Sequence, residues 1–187
     1  MAKITKLTPK QREALGKIRS KLIYHKDLIL KGTFVSIDPS CVSQNGSKPA
    51  YAIYVKGEFV EQGIIDVPYK PQLYLRLQMI RKVVMKDLAP HVDLCIIEET
   101  PVVALRSAKN AAATGRSYMN ATSIASLKKA SGAIISAFDC PVIDMPAHIW
   151  HRVANTLGLT ITKEDDADAR LIGHAAIYLI STTDDII

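Results

Sequence analysis

The sequence predicts a single mixed-sheet α/β domain in which a three-stranded meander is followed by alternating helices and strands. Three observations predict it. Between Gly32 and Val67, three β-prone runs are separated by turn-forming segments. From Pro71 onward the apolar residues recur at helical spacing, interrupted by two short continuous apolar runs of the kind that form central strands covered on both faces. Finally, 187 residues of which 48% are hydrophobic are enough for one substantial core and too few for two ordinary domains with a linker. The expected organisation is an N-terminal basic helical extension over residues 1–31 and a core domain over residues 32–187.

Thr8-Pro9 followed by Gln11 reads as a helix start, with Thr as N-cap, Pro at the first helical position and Gln closing a capping box. Leu15, Ile18, Leu22 and Ile23 form its apolar stripe, while Lys10, Arg12, Lys17, Arg19 and Lys21 make the rest basic, as expected of an appendage before the core. Thr33 to Ile37 is a strand ending on Asp38-Pro39, Tyr51 to Val55 is the second, and a Lys56-Gly57-Glu58 turn leads into the third at Phe59 to Val67. Leu73, Leu77, Ile80, Val83, Val84 and Leu88 mark a helix from Pro71 to Leu88, with Pro90 as its stop. Asp93 to Ile97 is a buried strand ending abruptly on Glu98-Glu99-Thr100-Pro101. Ser107 to about Phe138 is mainly helical with a break near Gly115, Pro141 to Asp144 is a strand, Pro146 opens a helix through Val153, and Ala167 to Ile180 forms a last amphipathic helix.

Composition narrows the function classes. Lys and Arg total 24 against 18 Asp and Glu, a formal charge of +6, which favours an anionic partner such as nucleic acid or an acidic membrane surface. Cys41, Cys95 and Cys140 are odd in number, widely spaced and without a C-x-x-C pair, which speaks against a disulfide framework or zinc ribbon and for a reducing cytoplasm. The N-terminus lacks an apolar signal core and no stretch reaches the length of a membrane span, so neither secretion nor membrane insertion is expected.

Acids stand where buried strands or helices end. Asp38 closes the first strand and Glu98 the later central one, while Asp165 and Asp168 share one face at the start of the last helix. Ends of neighbouring central strands lie close together in open α/β sheets, so acids there can converge. Two hard divalent cations held by shared carboxylates polarise a phosphodiester, activate a water and stabilise the leaving oxygen. Four carboxylates without conspicuous His or Cys favour Mg2+, with Mn2+ as substitute, over zinc. Each acid has a plainer reading: Asp before Pro starts turns, and Glu164, Asp165 and Asp166 suit a helix N-terminus. Glu98 resists it, because a charge flush against buried apolar residues is costly unless something binds it. Glu99 points the other way and reads as a solvated acid.

The order of these acids carries a resemblance. Phe34-Val35-Ser36-Ile37-Asp38-Pro39-Ser40 resembles the opening strand of the RuvC-type Holliday junction resolvases of the RNase H-like superfamily, Ile96-Ile97-Glu98-Glu99 their second acidic motif, and Asp165-Asp166-Ala167-Asp168-Ala169 their closing D-x-x-D-A. Ala130 to Ile135 and Pro141 to Pro146 match the family's intervening helix and strand, so the similarity covers about residues 33 to 180. It implies an RNase H-like mixed sheet flanked by helices, here with an extra N-terminal helix. It also implies a homodimer, and Mg2+-dependent paired nicks in four-way DNA junctions by Asp38, Glu98, Asp165 and Asp168. Arg106, Lys109, Arg116, Lys128 and Lys129 are the expected phosphate contacts.

The sequence also departs from the family's pattern. Ser40 stands where the family has Gly, Thr100-Pro101-Val102 offers no aromatic after the second acid, with Tyr118 a possible substitute, and His148-Ile149-Trp150-His151-Arg152 stands where the family has a lysine. There His151 or Arg152 could supply the positive group, while Trp150 reads as core. The alternatives are an RNase H-like nuclease acting on structured RNA, which the metal chemistry does not separate from a DNA enzyme, and a non-catalytic nucleic-acid-binding relative, against which retention of all four acids counts. An actin-like sugar kinase is excluded by length and by the absence of phosphate-binding glycine loops.

Overall fold

The computed structural model describes residues 8–40, 42, 47–100, 121–160 and 165–182. At its centre lies a five-stranded sheet in the order β3-β2-β1-β4-β5, built from β1 (Thr33–Asp38), β2 (Ala50–Val55), β3 (Glu58–Ile64), β4 (Leu94–Glu98) and β5 (Val142–Met145). β1, β2 and β3 form the expected antiparallel meander, and β4 and β5 add to it in parallel. The β2–β3 hairpin turns on Lys56 and Gly57 with φ of 54° and 78°. Two successive positive φ values give the turn whose twist matches paired strands, and glycine takes the second without strain.

Strand alternation sends side chains to two faces, each with its own core. Phe34, Leu94, Ile96, Ile143 and Met145 join one buried cluster with α1 (Pro9–Tyr24), α2 (Lys26–Lys31), α5 (Ala147–Thr156) and α6 (Asp165–Ser181). Val35, Ile37, Cys95 and Ile97 join the other, with α3 (Leu73–Val83) and α4 (Ala121–Ile135). The continuous apolar runs of β1 and β4 are thus explained by burial on both sides. Cys95 and Cys140 are free thiols, and desolvation raises the pKa of the buried Cys95.

Three elements differ from the sequence expectation. The capping box of α1 forms as predicted, with the Gln11 amide donating to Thr8 Oγ1 at 3.3 Å and Thr8 N donating to Gln11 Oε1 at 3.0 Å. The helix is nevertheless part of the core, since Ile18 and Leu22 are buried with α6. Ile23, one residue and about 100° round the helix from Leu22, stays half exposed. The helix after Pro71 begins at Leu73 and leaves α geometry at Val84, passing through a wide π turn (Val84–Leu88) and a 3-10 turn (Ala89–His91). An α-helix continued to Pro90 would drive its ring into the carbonyl four residues back. The change of winding avoids that clash and takes Pro90 inside the 3-10 turn rather than after the helix. The helix α2, six residues long, has too little periodicity to be read from sequence. Among the described residues no helix is long and apolar enough to cross a membrane.

A candidate carboxylate metal centre

Asp38 is the last residue of β1 and lies on the same side of the strand as Phe34 and Ser36, the side covered by α6. Glu98 ends β4 on the same side as Leu94 and Ile96. The parallel register pairs Ile37 with Ile97. One further step therefore sets Asp38 beside Glu98 on adjacent strands, roughly 4.8 Å apart along the sheet. Asp168, in the first turn of α6, is close enough for its charge to act on Glu98. The structure thus brings Asp38 and Asp168 each near Glu98 at one rim of the sheet.

Burial pushes the Glu98 carboxyl up to about 7; the indole N–H of Trp150 opposes the rise and the negative charge of Asp168 adds to it. Glu98 is consequently a carboxyl that keeps its proton to higher pH than an ordinary glutamate, and a cation beside it would favour the charged form. Its neighbour Glu99 points outward and is exposed, as the alternation requires.

The position of α6 is fixed by contacts that the motifs did not announce. The hydroxyl of Ser36, fully buried in the middle of β1, donates to the carbonyl of Ala169 at 2.7 Å. Tyr54 on β2 donates to the carbonyl of Arg170, also at 2.7 Å. Gly173 lets the helix lie down on these two side chains, because a Cβ there would stand 2.2 Å from Tyr54 Cε2 and 2.8 Å from Ser36 Oγ. Both bonded carbonyls directly follow Asp168, so the clamp sets the height of that carboxylate above the sheet. A serine inside a buried strand and a glycine inside a helix were the available signals, since each is unfavourable without a local reason.

The remaining candidates fall into place around this rim. Asp166 accepts from Gln62 Nε2 at 3.0 Å and so turns toward the β3 edge, away from Glu98. Asp165 is the first residue of α6, but its side chain, like Glu164, lies outside the described residues. Among the described residues no three His, Cys, Asp or Glu side chains form a set that could hold a metal ion. Lys128 and Lys129 are exposed on α4, one turn before Ser131, whose hydroxyl meets Thr100 Oγ1 at 2.7 Å just beyond Glu98. Their helix packs on the face of the sheet opposite to the one that carries Asp38 and Glu98. Arg106, Lys109, Arg116 and Tyr118 lie outside the described residues. His151 is exposed with its ring edge-on to Trp150, and partial burial lowers its pKa, which leaves it a poor permanent cation.

No protein-family model matches the sequence, and no curated protein is significantly similar to it.

Proposed function

We propose that this protein is a Mg2+-dependent endonuclease with an RNase H-like fold, of the RuvC type, acting as a homodimer to resolve four-way DNA junctions by paired nicks. The observation that carries the reading is the placement of Asp38 and Glu98 side by side at the ends of neighbouring parallel strands, with Asp168 near enough for its charge to act on Glu98. The antiparallel meander followed by two parallel strands accords with it.

The chemistry of these donors suits a hard divalent cation, although Asp38, Glu98 and Asp168 do not close into a metal-binding set by themselves. The offered donors are carboxylate oxygens, and burial, with the charge of Asp168 added to it, holds the Glu98 pKa high, a condition that a bound cation relieves. Asp38, Glu98 and Asp168 would hold it with Asp165, and it would supply charge neutralisation at a phosphodiester and activation of water. The chain's own contributions are positional. The β1–β4 register fixes the spacing of Asp38 and Glu98, and the Ser36–Tyr54–Gly173 clamp fixes Asp168. Lys128 and Lys129 are exposed cations that would contact phosphates, orienting the nucleic-acid backbone without reading sequence.

The test is cleavage of labelled four-way junction, duplex and structured RNA with and without Mg2+. Asp38→Asn should abolish cutting while junction binding stays near that of the unaltered protein. Cutting of structured RNA but not of the DNA junction would move the reading to an RNA nuclease. Mg2+-dependent cutting of none of the three would end it.

A further inference from the structure

The sequence holds a single tryptophan, and its amphipathic setting reads as core packing. In the fold Trp150 is 1% exposed and belongs to the cluster under α6. Its ring has packing partners, yet its indole N–H is buried with no partner in normal hydrogen-bond geometry. Leaving such a donor unmade costs about 1–3 kcal/mol, and native cores seldom carry one without a reason. The polar group it approaches is the Glu98 carboxylate, near enough to act on it although the pair falls short of a formed bond. Topology explains the approach. Glu98 pairs with Met145 across β4 and β5, and the chain passes from Met145 through Pro146 into α5, which returns Trp150 over the same face.

We propose that Trp150 is a positioning residue for Glu98, its indole N–H closing a hydrogen bond to one carboxylate oxygen when a divalent cation engages the other. The inference rests on the metal-centre reading above. Hydrogen bonds in empty sites are commonly long and tighten when the ligand arrives, and an N–H donated to a ligating carboxylate fixes its rotamer and orients its remaining lone pairs. A donor with no acceptor charge of its own suits this place: a lysine would neutralise Glu98 and compete with the cation, whereas an indole orients the carboxylate and leaves its charge. The bond would be made and released with the cation, so the tryptophan is also a built-in reporter of the site.

The experiment is a Mg2+ titration of the intact chain followed in two ways, by Trp150 emission and by calorimetry. A saturable emission change with the calorimetric midpoint is expected, and Glu98→Gln should remove it. Trp150→Phe, which keeps an aromatic ring and deletes the N–H, should weaken Mg2+ binding by about tenfold, the usual effect of losing such a partner. Ile149→Val, on the same helix and in the same core, controls for packing: it should lower thermal stability and leave the Mg2+ midpoint unchanged. Circular dichroism establishes that each variant is folded. Should Trp150→Phe bind Mg2+ like the unaltered protein, or should Ile149→Val weaken binding equally, the positioning role is overturned while the metal centre stands. Absence of Mg2+ binding by the unaltered protein would overturn the metal centre itself.

Discussion

Replacing Glu98 by Gln in the metal-free protein tests the electrostatics of the rim directly. Burial, opposed by Trp150 and reinforced by Asp168, lifts this carboxyl from 4.5 to about 7. That difference is worth about 3 kcal/mol of folding free energy once the pH exceeds both values. Between about pH 4.5 and 7 the unfolded chain has released a proton that the folded protein keeps, so the unfolded state binds fewer protons and stability falls as pH rises. Glu98→Gln removes the titration while preserving size. Urea unfolding in chelator at pH 5 and pH 8 is the assay. The unaltered protein should lose about 2–3 kcal/mol more over that interval than the variant, since part of the full difference is already lost below pH 5, and Mg2+ at pH 8 should restore stability to the unaltered protein alone. Equal pH dependence in the two proteins would refute the argument, because it would mean that Glu98 is solvated and ordinary.

Other perturbations probe the clamp and the rim. Gly173→Ala should cost about 1–3 kcal/mol in thermal or urea unfolding, since the new methyl meets the buried Tyr54 ring at 2.2 Å, and that exceeds the roughly 1 kcal/mol gained in helix propensity. Tyr54→Phe, which loses only the bond to the Arg170 carbonyl, should cost about 1 kcal/mol in the same assay. Glu99→Gln should leave cleavage within a few-fold of the unaltered protein, and a loss matching that of Asp38→Asn would show that the strand face has been misassigned. Neutralising Lys128 and Lys129 together should lower the slope of log affinity for junction DNA against log salt by about two units, measured by anisotropy.

What could be read from the sequence is what local chemistry decides. β1 and β4 were legible because strands covered on both faces need unbroken apolar residues, and the start of α1 because Thr8, Pro9 and Gln11 satisfy backbone groups within one turn. Glu98 was legible as a charge set flush against a buried apolar run. The partners that complete the site come from distant segments and leave no local trace. Whether Asp166 joins Asp168 is decided by Gln62, 104 residues earlier on β3. The height of α6 is decided by Ser36 and Tyr54, 133 and 116 residues before their acceptors. Trp150 looked like any core aromatic, because nothing in a hydrophobic helix face says where an indole nitrogen points. The wide turn at Val84 was hidden as well, since α and π windings bury nearly the same residues and only the distance to Pro90 distinguishes them.

The clamp on α6 also governs when the chain can acquire its rim of acids. Every strand of the sheet precedes α6 in the order of translation, so a ribosome-bound chain that has completed β5 already holds Asp38 and Glu98 but lacks Asp168 and the helix that roofs them. Until α6 docks, the Ser36 and Tyr54 hydroxyls have no helix carbonyls to meet and the part of the sheet face that α6 covers is open to water. Such long-range closure is slow relative to the formation of local hairpins. Assembly of the carboxylate set is thereby coupled to the docking of α6, and a nascent chain interrupted before α6 carries Asp38 and Glu98 without Asp168.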